Sequence, residues 1–459
     1  MKNPGDDRRS RWIAPLAYVF MAGLALTAFL LIREYGERLI PSGAESIAAE
    51  SAPATQSPHS LLVPTLIALT SVILMGRIIG AIFRYVGQPP VIGEVVAGIV
   101  LGPSVLGAIW PDAASFVLPS DVAPVLGIIA QLGVVLYMFC VGLELDPEML
   151  RRHGSATVAI SHASIIVPFL LGALLSLWLY PRYASGEISF TVFSLFLGAA
   201  MSVTAFPVLA RILTDRGMAK TPLGAVALTC AAADDATAWC LLALVVGVAK
   251  ANLSSAIMVI GLALLYILVM FRCVRPLLKR WASQFESPTL TPTAIATVLL
   301  MVLISALATE AIGIHAIFGG FLLGAIMPQE TRLAHHVRER VESLVTTLLL
   351  PAFFAFTGMR TQLGLVSGGE NWLWCGIIVV VATAGKMGGT VAAGRIAGLP
   401  WREASCLGIL MNTRGLMELI VLNIGLDLGI ISPTIFAMMV IMALVTTLAT
   451  TPVLHLMNR

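Results

Sequence analysis

The stretch Ala231-Ala-Ala-Asp-Asp-Ala-Thr-Ala-Trp239 places two adjacent acids, Asp234 and Asp235, in the middle of an apolar segment that extends over residues 222–248. A helix of about 20 predominantly apolar residues spans a bilayer, so both carboxylates are predicted to lie near the middle of the membrane. An ionised Asp at that depth costs about 2.5–3.5 kcal/mol on insertion scales, and acids kept there usually mark an ion pathway. A structural polar pair or a soluble core helix is the alternative, and the remaining sequence argues against it.

The composition of the whole chain is typical of a membrane protein. Apolar residues make up 58% of the 459 residues and charged residues only 12%, whereas soluble domains carry about 25% charged residues. The net charge of +3 does not indicate nucleic-acid binding. The six cysteines lack the spacing of a disulfide framework or a metal site. We therefore predict an all-α polytopic membrane protein.

Fourteen apolar segments follow one another along the chain. The first, residues 12–32, is longer than the apolar part of a typical signal peptide, so we predict an extra N-terminal helix followed by a polar linker, together residues 1–60. The other thirteen are each about as long as a bilayer requires. They cover residues 61–82, 91–109, 123–143, 155–180, 188–213, 221–248, 254–271, 291–308, 311–327, 343–363, 371–394, 403–426 and 432–454. We predict about 13–14 transmembrane helices, because one marginal segment could be re-entrant.

Lys and Arg are distributed unequally between the two sides that this count defines. Of the 28 basic residues, 21 lie in the two termini and the alternate loops on the same side, and 5 lie on the other side. Lys386 and Arg414 are the remaining two, and both lie within apolar segments. Because cytoplasmic loops are enriched in Lys and Arg, we predict that both termini lie in the cytoplasm, with the protein in a bacterial inner (plasma) membrane.

The order of the segments predicts two six-helix units of opposite orientation, joined by a connector helix at residues 254–271. Inverted repeats of this kind are common in secondary transporters. The fifth segment of each unit is interrupted by polar or helix-breaking residues, in Ser202-Val-Thr-Ala-Phe-Pro207 and in Asn412-Thr-Arg-Gly-Leu-Met-Glu418. Two broken helices in corresponding positions predict a substrate site, because half-helix ends offer dipoles and unpaired carbonyls to ions.

Five charged residues are predicted to lie deep in the membrane and must meet in a protein interior or an aqueous cavity. They are Asp234, Asp235, Lys386, Arg414 and Glu418. A buried ammonium needs a partner, and one of the two aspartates is the natural candidate for Lys386. Arg414 and Glu418 are spaced to pair along one helix; if the helix is broken there, each can neutralise a broken-helix end.

The predicted site is rich in the oxygen ligands that hard monovalent cations prefer. Asp235, Asp234, Thr204 and Ser202 could supply such a set, and a carboxylate can hold either a cation or a proton. Exclusive binding of one or the other, combined with alternating access, gives antiport. No G-x-x-x-x-G-K-[ST] phosphate-binding motif occurs, and no cofactor is predicted besides the transported ions.

These motifs resemble the monovalent cation:proton antiporter-2 family of sodium/hydrogen exchanger-type proteins. The resemblance covers residues 60–455, nearly all of the chain after the first helix and linker. In chain order it rests on Gly87–Glu94, Gly98–Ser104, Phe139–Asp146, Ser202–Leu213, the Asp234-Asp235 pair, Gly313–Gly324, Lys386 and Asn412–Glu418. Its implied activity is exchange of Na+ and/or K+ for protons by a transporter, not an enzyme.

The resemblance also implies roles for particular residues. Asp235 would bind the cation and the proton in turn, and Asp234 would pair with Lys386 until a cation binds. Thr204 would be a further ligand. Arg414 and Glu418, by the same resemblance, would stabilise the second broken helix.

The architecture that the resemblance implies is a homodimer that works like an elevator. Residues 61–455 would form the antiporter domain, with a mobile core and a dimerisation unit on either side of the connector helix. The core would comprise residues 155–248 and 371–454, and the dimerisation unit residues 61–143 and 291–363. No C-terminal regulatory domain is expected after the last span.

Two questions remain open at this point: the type of exchanger and the class of transport protein. The segment around Asn412 is most similar to plant-type cation/H+ exchangers, which usually carry Asn-Asp, whereas Asp-Asp together with Lys386 resembles electrogenic exchangers. A monovalent cation channel on the same fold, or a sodium-coupled solute symporter, would also use broken helices. A membrane enzyme with paired aspartates is disfavoured, because its acids would be needed on different helices or in spaced motifs.

Overall fold

A computed structural model describes residues 21–39, 58–144, 154–184, 188–218, 221–249, 253–282, 292–328 and 331–457. Within these ranges all regular structure is helical, and residues 21–36 form a helix that precedes the membrane domain. In chain order the later helices are α1 (Pro58–Tyr85), α2 (Pro90–Leu101), α3 (Leu106–Ile109), α4 (Pro111–Val117), α5 (Ala123–Glu144), α6 (Gly154–Tyr183), α7 (Phe190–Ser202), α8 (Phe206–Asp215), α9 (Pro222–Ala249), α10 (Leu253–Val269), α11 (Arg275–Ala282), α12 (Pro292–Ile312), α13 (Ala316–Ile326), α14 (Arg332–Leu344), α15 (Leu350–Arg360), α16 (Gly368–Ile396), α17 (Trp401–Met411), α18 (Leu416–Asp427) and α19 (Pro433–Met457).

The predicted all-α polytopic fold is confirmed. Among the described residues, ten helices are long and apolar enough to cross a membrane, or eleven if the bent pair α17 and α18 counts as one span. One predicted segment forms a shorter apolar helix, since α13 has only eleven residues, whereas α9 extends over 28 residues. Residues 12–20 of the first predicted segment, and most of the linker, lie outside the described residues.

Both broken helices occur where the sequence predicts them. The helix α7 ends at Ser202, and α8 begins at Phe206 with Pro207 in its first turn. Proline has no N–H to donate, so it is tolerated in a first turn, where that donor has no partner within the helix. The second break separates α17 from α18, which are bent by 44° relative to each other.

The helices pack as two groups. The first helix group consists of α1, α2, α5, α12, α13 and α15, and the second helix group consists of α6 to α9 and α16 to α19. The helix α10 lies between them and contacts α9 of the second group and α12 of the first. Both broken helices and the acidic helix α9 therefore belong to the second helix group.

Glycine allows the closest helix contacts in the first helix group. Where α2 crosses α15, a Cβ added at either Gly98 or Gly358 would collide with the backbone of the other helix. Small residues let membrane helices approach closely enough for dispersion forces to hold them together. This crossing therefore requires glycine on both helices.

A second close approach brings the lysine of α16 to the acid of α9. A Cβ at Gly385 would lie 2.9 Å from the Cα of Pro168 on α6, and one at Gly389 would lie 2.7 Å from the carbonyl oxygen of Ala163. The two glycines lie on either side of Lys386, which is buried. The close packing of α16 on α6 thus fixes the position from which Lys386 extends.

Gly389→Ala is expected to lower the thermal unfolding temperature of the purified protein in detergent. The added methyl group would meet a backbone carbonyl that can move only with its helix, and overpacking of this kind costs about 1–3 kcal/mol. Gly388→Ala is the matched control, because a Cβ there would have no neighbour within 4 Å. Equal unfolding temperatures for the two variants would contradict a tight contact between α16 and α6.

Candidate ion-binding site

The Asp234 side chain lies at the centre of the site and is completely buried. Its Oδ1 accepts a hydrogen bond from the Ser161 hydroxyl at 2.7 Å. Its Oδ2 accepts hydrogen bonds from Ser164 at 2.6 Å, from Thr204 at 2.9 Å and from the Lys386 ammonium at 2.9 Å. A carboxylate offers about four acceptor positions, and here four donors from two helices, α6 and α16, and from one helix break surround it.

Lys386 is also buried and links the acidic helix to the first broken helix. Its Nζ donates to Asp234 and, at 2.6 Å, to the carbonyl oxygen of Ser202. That carbonyl belongs to the last residue of α7, where the helix dipole favours a positive charge. The ammonium is thus stabilised by a carboxylate and by the end of a half-helix.

The structure brings four of the predicted site residues together, namely Asp234, Thr204, Ser202 and Lys386. Ser202 takes part through its backbone. The Ser202 hydroxyl lies 2.8 Å from the carbonyl oxygen of Gly198 and 2.9 Å from that of Ile165, and it can donate its one proton to either. Its own carbonyl, not its hydroxyl, faces Lys386. Asp235 follows Asp234 in α9, and its side chain lies outside the part of the chain that the structure describes. The role of Asp235 therefore stays a prediction.

The two helix breaks lie against each other beside this site. The backbone N–H of Ala205 in the first break donates to the carbonyl of Thr413 in the second at 3.0 Å. The Thr204 hydroxyl also lies 3.4 Å from the carbonyl of Met411. Backbone groups that the breaks leave unpaired inside the membrane therefore satisfy one another, as groups remote from water must.

Arg414, in the second break, holds the two broken helices together. It pairs with Glu418 in the first turn of α18 at 2.9 Å, and both side chains are buried. Its guanidinium also donates to the carbonyls of Ala200 and Met201, at 3.3 and 2.7 Å. The sequence predicts the Glu418 partner and, for a broken helix, a role for Arg414 in neutralising a helix end, but it does not indicate that this end is the end of α7 in the other unit.

Two residues of the site, Ser161 and Ser164, were missed in the sequence interpretation. With Thr157 they form a polar stripe at positions i, i+4 and i+7 of the otherwise apolar helix α6. That spacing puts all three on one helix face. The stripe was the available signal, and it follows the side of α6 that faces α9, where the thiol of Cys230 also approaches the Thr157 carbonyl at 3.6 Å.

The oxygens assembled here match the ligand preference of a monovalent cation. The set comprises the Asp234 carboxylate, the hydroxyls of Thr204, Ser161 and Ser164, and the Ser202 carbonyl. Lys386 contributes a positive charge at the place where these oxygens converge. Such an arrangement can support competition between the ammonium and a cation for one carboxylate.

Two broken helices that cross beside a buried carboxylate–lysine pair define a secondary membrane transporter. Residues 67–457 match the family described as sodium/hydrogen exchanger, transmembrane. The chain belongs to this family of monovalent cation:proton antiporters, and it is a transporter rather than an enzyme.

Proteins similar to this chain agree with that assignment. The Na(+)/H(+) antiporter NhaS4 of Synechocystis is 45% identical over 384 residues, which cover 83% of this chain and 94% of NhaS4. Cation/H(+) antiporter 18 of Arabidopsis thaliana is 39% identical over 393 residues, 84% of this chain, and this chain spans about half (48%) of that longer relative. The sodium proton antiporter MjNhaP1 of Methanocaldococcus jannaschii, solved at pH 8, has the same fold, with a TM-score of 0.62 at 14% identity over 86% of this chain and 96% of that one.

Proposed function

We propose that this protein exchanges a monovalent cation, Na+ or K+, for protons across the membrane. The observation that carries the proposal is the buried Asp234–Lys386 pair at the crossing of the two broken helices. The near full-length similarity to a protein named as a Na+/H+ antiporter supports the same conclusion. The names of the relatives leave the choice between Na+ and K+ open.

In the proposed cycle, Asp235 binds the cation and the proton in turn. Asp234 is the partner of Lys386 while no cation is bound, and it becomes a cation ligand once the ammonium has moved away. Thr204, whose hydroxyl already contacts Asp234, completes the ligand set with the Ser202 carbonyl. Arg414 and Glu418 keep the crossing intact while these ions exchange.

We further propose that the second helix group moves against the first, which forms the dimer contact. In residue ranges, the moving core comprises 155–248 and 371–454, the dimerisation unit comprises 61–143 and 291–363, and residues 254–271 connect them. This division corresponds to the two groups in which the helices pack. Antiport requires that the site face one side of the membrane at a time, and motion of one group against the other would provide this.

The boundary between the groups supports such a motion. At the end of α15, Arg360 binds Asp427 at 2.6 Å and Asn423 at 3.2 Å, both on α18 of the second group. At the opposite predicted side, a cavity of about 320 Å³ lies between the two groups, with Arg84 and Arg216 on its walls. An ion pair across the boundary at one end and a cavity within it at the other end are compatible with alternating access. We place the end with the cavity, together with both termini, on the cytoplasmic side of a bacterial plasma membrane because the loops of that side carry most of the Lys and Arg.

The test is proton movement in proteoliposomes that contain a pH-sensitive dye. With Na+ or K+ added outside and the membrane potential clamped at zero, an antiporter makes the lumen more alkaline as the cation enters. A cation/proton symporter makes the lumen more acidic, and a channel moves no protons under the clamp. Alkalinisation that requires both the protein and the cation supports the proposal; either of the other results would overturn it.

A further inference from the structure

The Asp234 carboxylate has more hydrogen-bond donors than an ion pair with Lys386 requires. Three of its four donors are neutral hydroxyl groups, and two of these, Ser161 and Ser164, come from one face of α6. A carboxylate only accepts hydrogen bonds when ionised, so each serine donates its single hydroxyl proton to it. Ser164 could also donate to the Ser161 carbonyl at 2.8 Å, but the carboxylate oxygen is nearer and charged.

This arrangement has a consequence for exchange between Lys386 and a cation. If the ammonium left a carboxylate with no other donor, a buried charge would remain without compensation, which is costly in a membrane. With the three hydroxyls in place, only one acceptor position, on Oδ2, becomes vacant. A cation could then take that position while the carboxylate keeps its orientation.

The packing around the two serines fixes them in place. Both are completely buried, and α6 packs against α9, which carries Asp234, and against α16, which carries Lys386. The tight contact at Gly389 joins α16 to α6 at Ala163, between the two serines in sequence. This packing holds both serines next to the Asp234 carboxylate.

We propose that Ser161 and Ser164 are positioning residues of the cation site, which hold the Asp234 carboxylate in place and share its charge with Lys386 so that a cation can replace the ammonium. The inference rests on the proposed function, because it assumes that a cation binds at Asp234. It adds α6 to the helices that determine cation affinity. Neither serine is required to bind the cation directly.

The test compares the double variant Ser161→Ala/Ser164→Ala with wild type in dye-loaded proteoliposomes. Hydrogen bonds to charged groups are worth enough that losing them is expected to raise KM for the cation about tenfold or more. The maximal rate should change much less, because the binding geometry and not the turnover step is affected. Ser161→Thr and Ser164→Thr keep the hydroxyl and should keep KM near the wild-type value.

Ser176→Ala is the matched control. Ser176 lies on the same helix, is equally buried, and donates to the Gly172 carbonyl instead of to Asp234. A KM that rises in the double variant but not in Ser176→Ala supports the inference. A wild-type KM in the double variant, or equal changes in both variants, would overturn it.

A second measurement tests the sharing of charge without relying on transport. Adding Na+ or K+ to detergent-solubilised protein should raise its unfolding temperature through binding, and this rise should shrink in the double serine variant. Combining the serine changes with Lys386→Gln should lower stability by more than the sum of the separate effects, because the groups act on one carboxylate. Additive effects and an unchanged cation response would overturn the inference.

These results separate the inference from the proposed function. Wild-type KM in the serine variants, with loss of transport in Asp235→Asn, would reject only the role of the serines. Absence of cation-linked proton flux in wild type would reject antiport, and the cation-dependent unfolding temperatures would then decide whether Ser161 and Ser164 support a cation site.

Discussion

Asp235→Asn is expected to reduce cation-dependent proton flux to the level of protein-free liposomes. Asparagine has nearly the same size, but it can neither take up a proton nor balance the charge of a cation. It also introduces no charge that must be compensated within the membrane, so the variant should remain folded. The measurement is the rate of dye response after a cation pulse, at matched amounts of reconstituted protein.

The structure predicts a different result for the neighbouring acid. Asp234→Asn removes the carboxylate that Lys386 pairs with and that three hydroxyls contact. Removing one member of a buried pair costs roughly 3–5 kcal/mol, so this variant should lose thermal stability as well as transport. Asp112→Asn is the control, since Asp112 is exposed in the short helix α4 and should behave as wild type. Flux at the wild-type rate in Asp235→Asn would assign proton exchange to another group.

The sequence predicts the elements of the site better than it predicts their contacts. Polar and helix-breaking residues in an apolar segment are local features, so both breaks could be located from the sequence. The pairing of Lys386 with an aspartate could also be anticipated, because a buried ammonium must have a partner. The residues alone leave open which aspartate it contacts, and only the family resemblance indicates Asp234. The contact itself depends on the packing of α16 against α6, which is set by glycines whose neighbours are far away in the chain.

The sequence does not predict the contacts of Ser161 and Ser164 with Asp234, which join distant segments of the chain through an ordinary residue type. A serine in a membrane helix usually bonds to a carbonyl of its own helix, as Ser176 does, so Ser161 and Ser164 have no distinguishing chemistry of their own. One predicted span is shorter than expected for a related reason. Apolarity alone does not separate a full span from a shorter helix such as α13, whose length is limited by the turn at Gly313 and His315, both with positive φ.

Arg414→Gln is expected to lower the stability of the folded protein strongly. The Arg414 guanidinium is completely buried and contacts Glu418 and the carbonyls of Ala200 and Met201. Its loss would leave the Glu418 carboxylate buried without its cation and would leave the end of α7 without a positive charge. Removing one partner of such a pair costs roughly 3–5 kcal/mol, and the thermal unfolding temperature in detergent should fall accordingly.

The companion variants separate the charge of Arg414 from its shape. In Arg414→Gln/Glu418→Gln no unpaired charge remains, so stability should recover in part, although α7 still lacks its donor. Arg414→Lys keeps the charge, but an ammonium cannot reproduce the planar array of donors that reaches two carbonyls and a carboxylate together, so stability should be intermediate. Arg402→Gln, which removes an exposed arginine bound to the Met457 carbonyl, should have little effect. An Arg414→Gln protein as stable as wild type would mean that the breaks are held by their mutual backbone contact, and that the transport site does not depend on this ion pair for its position.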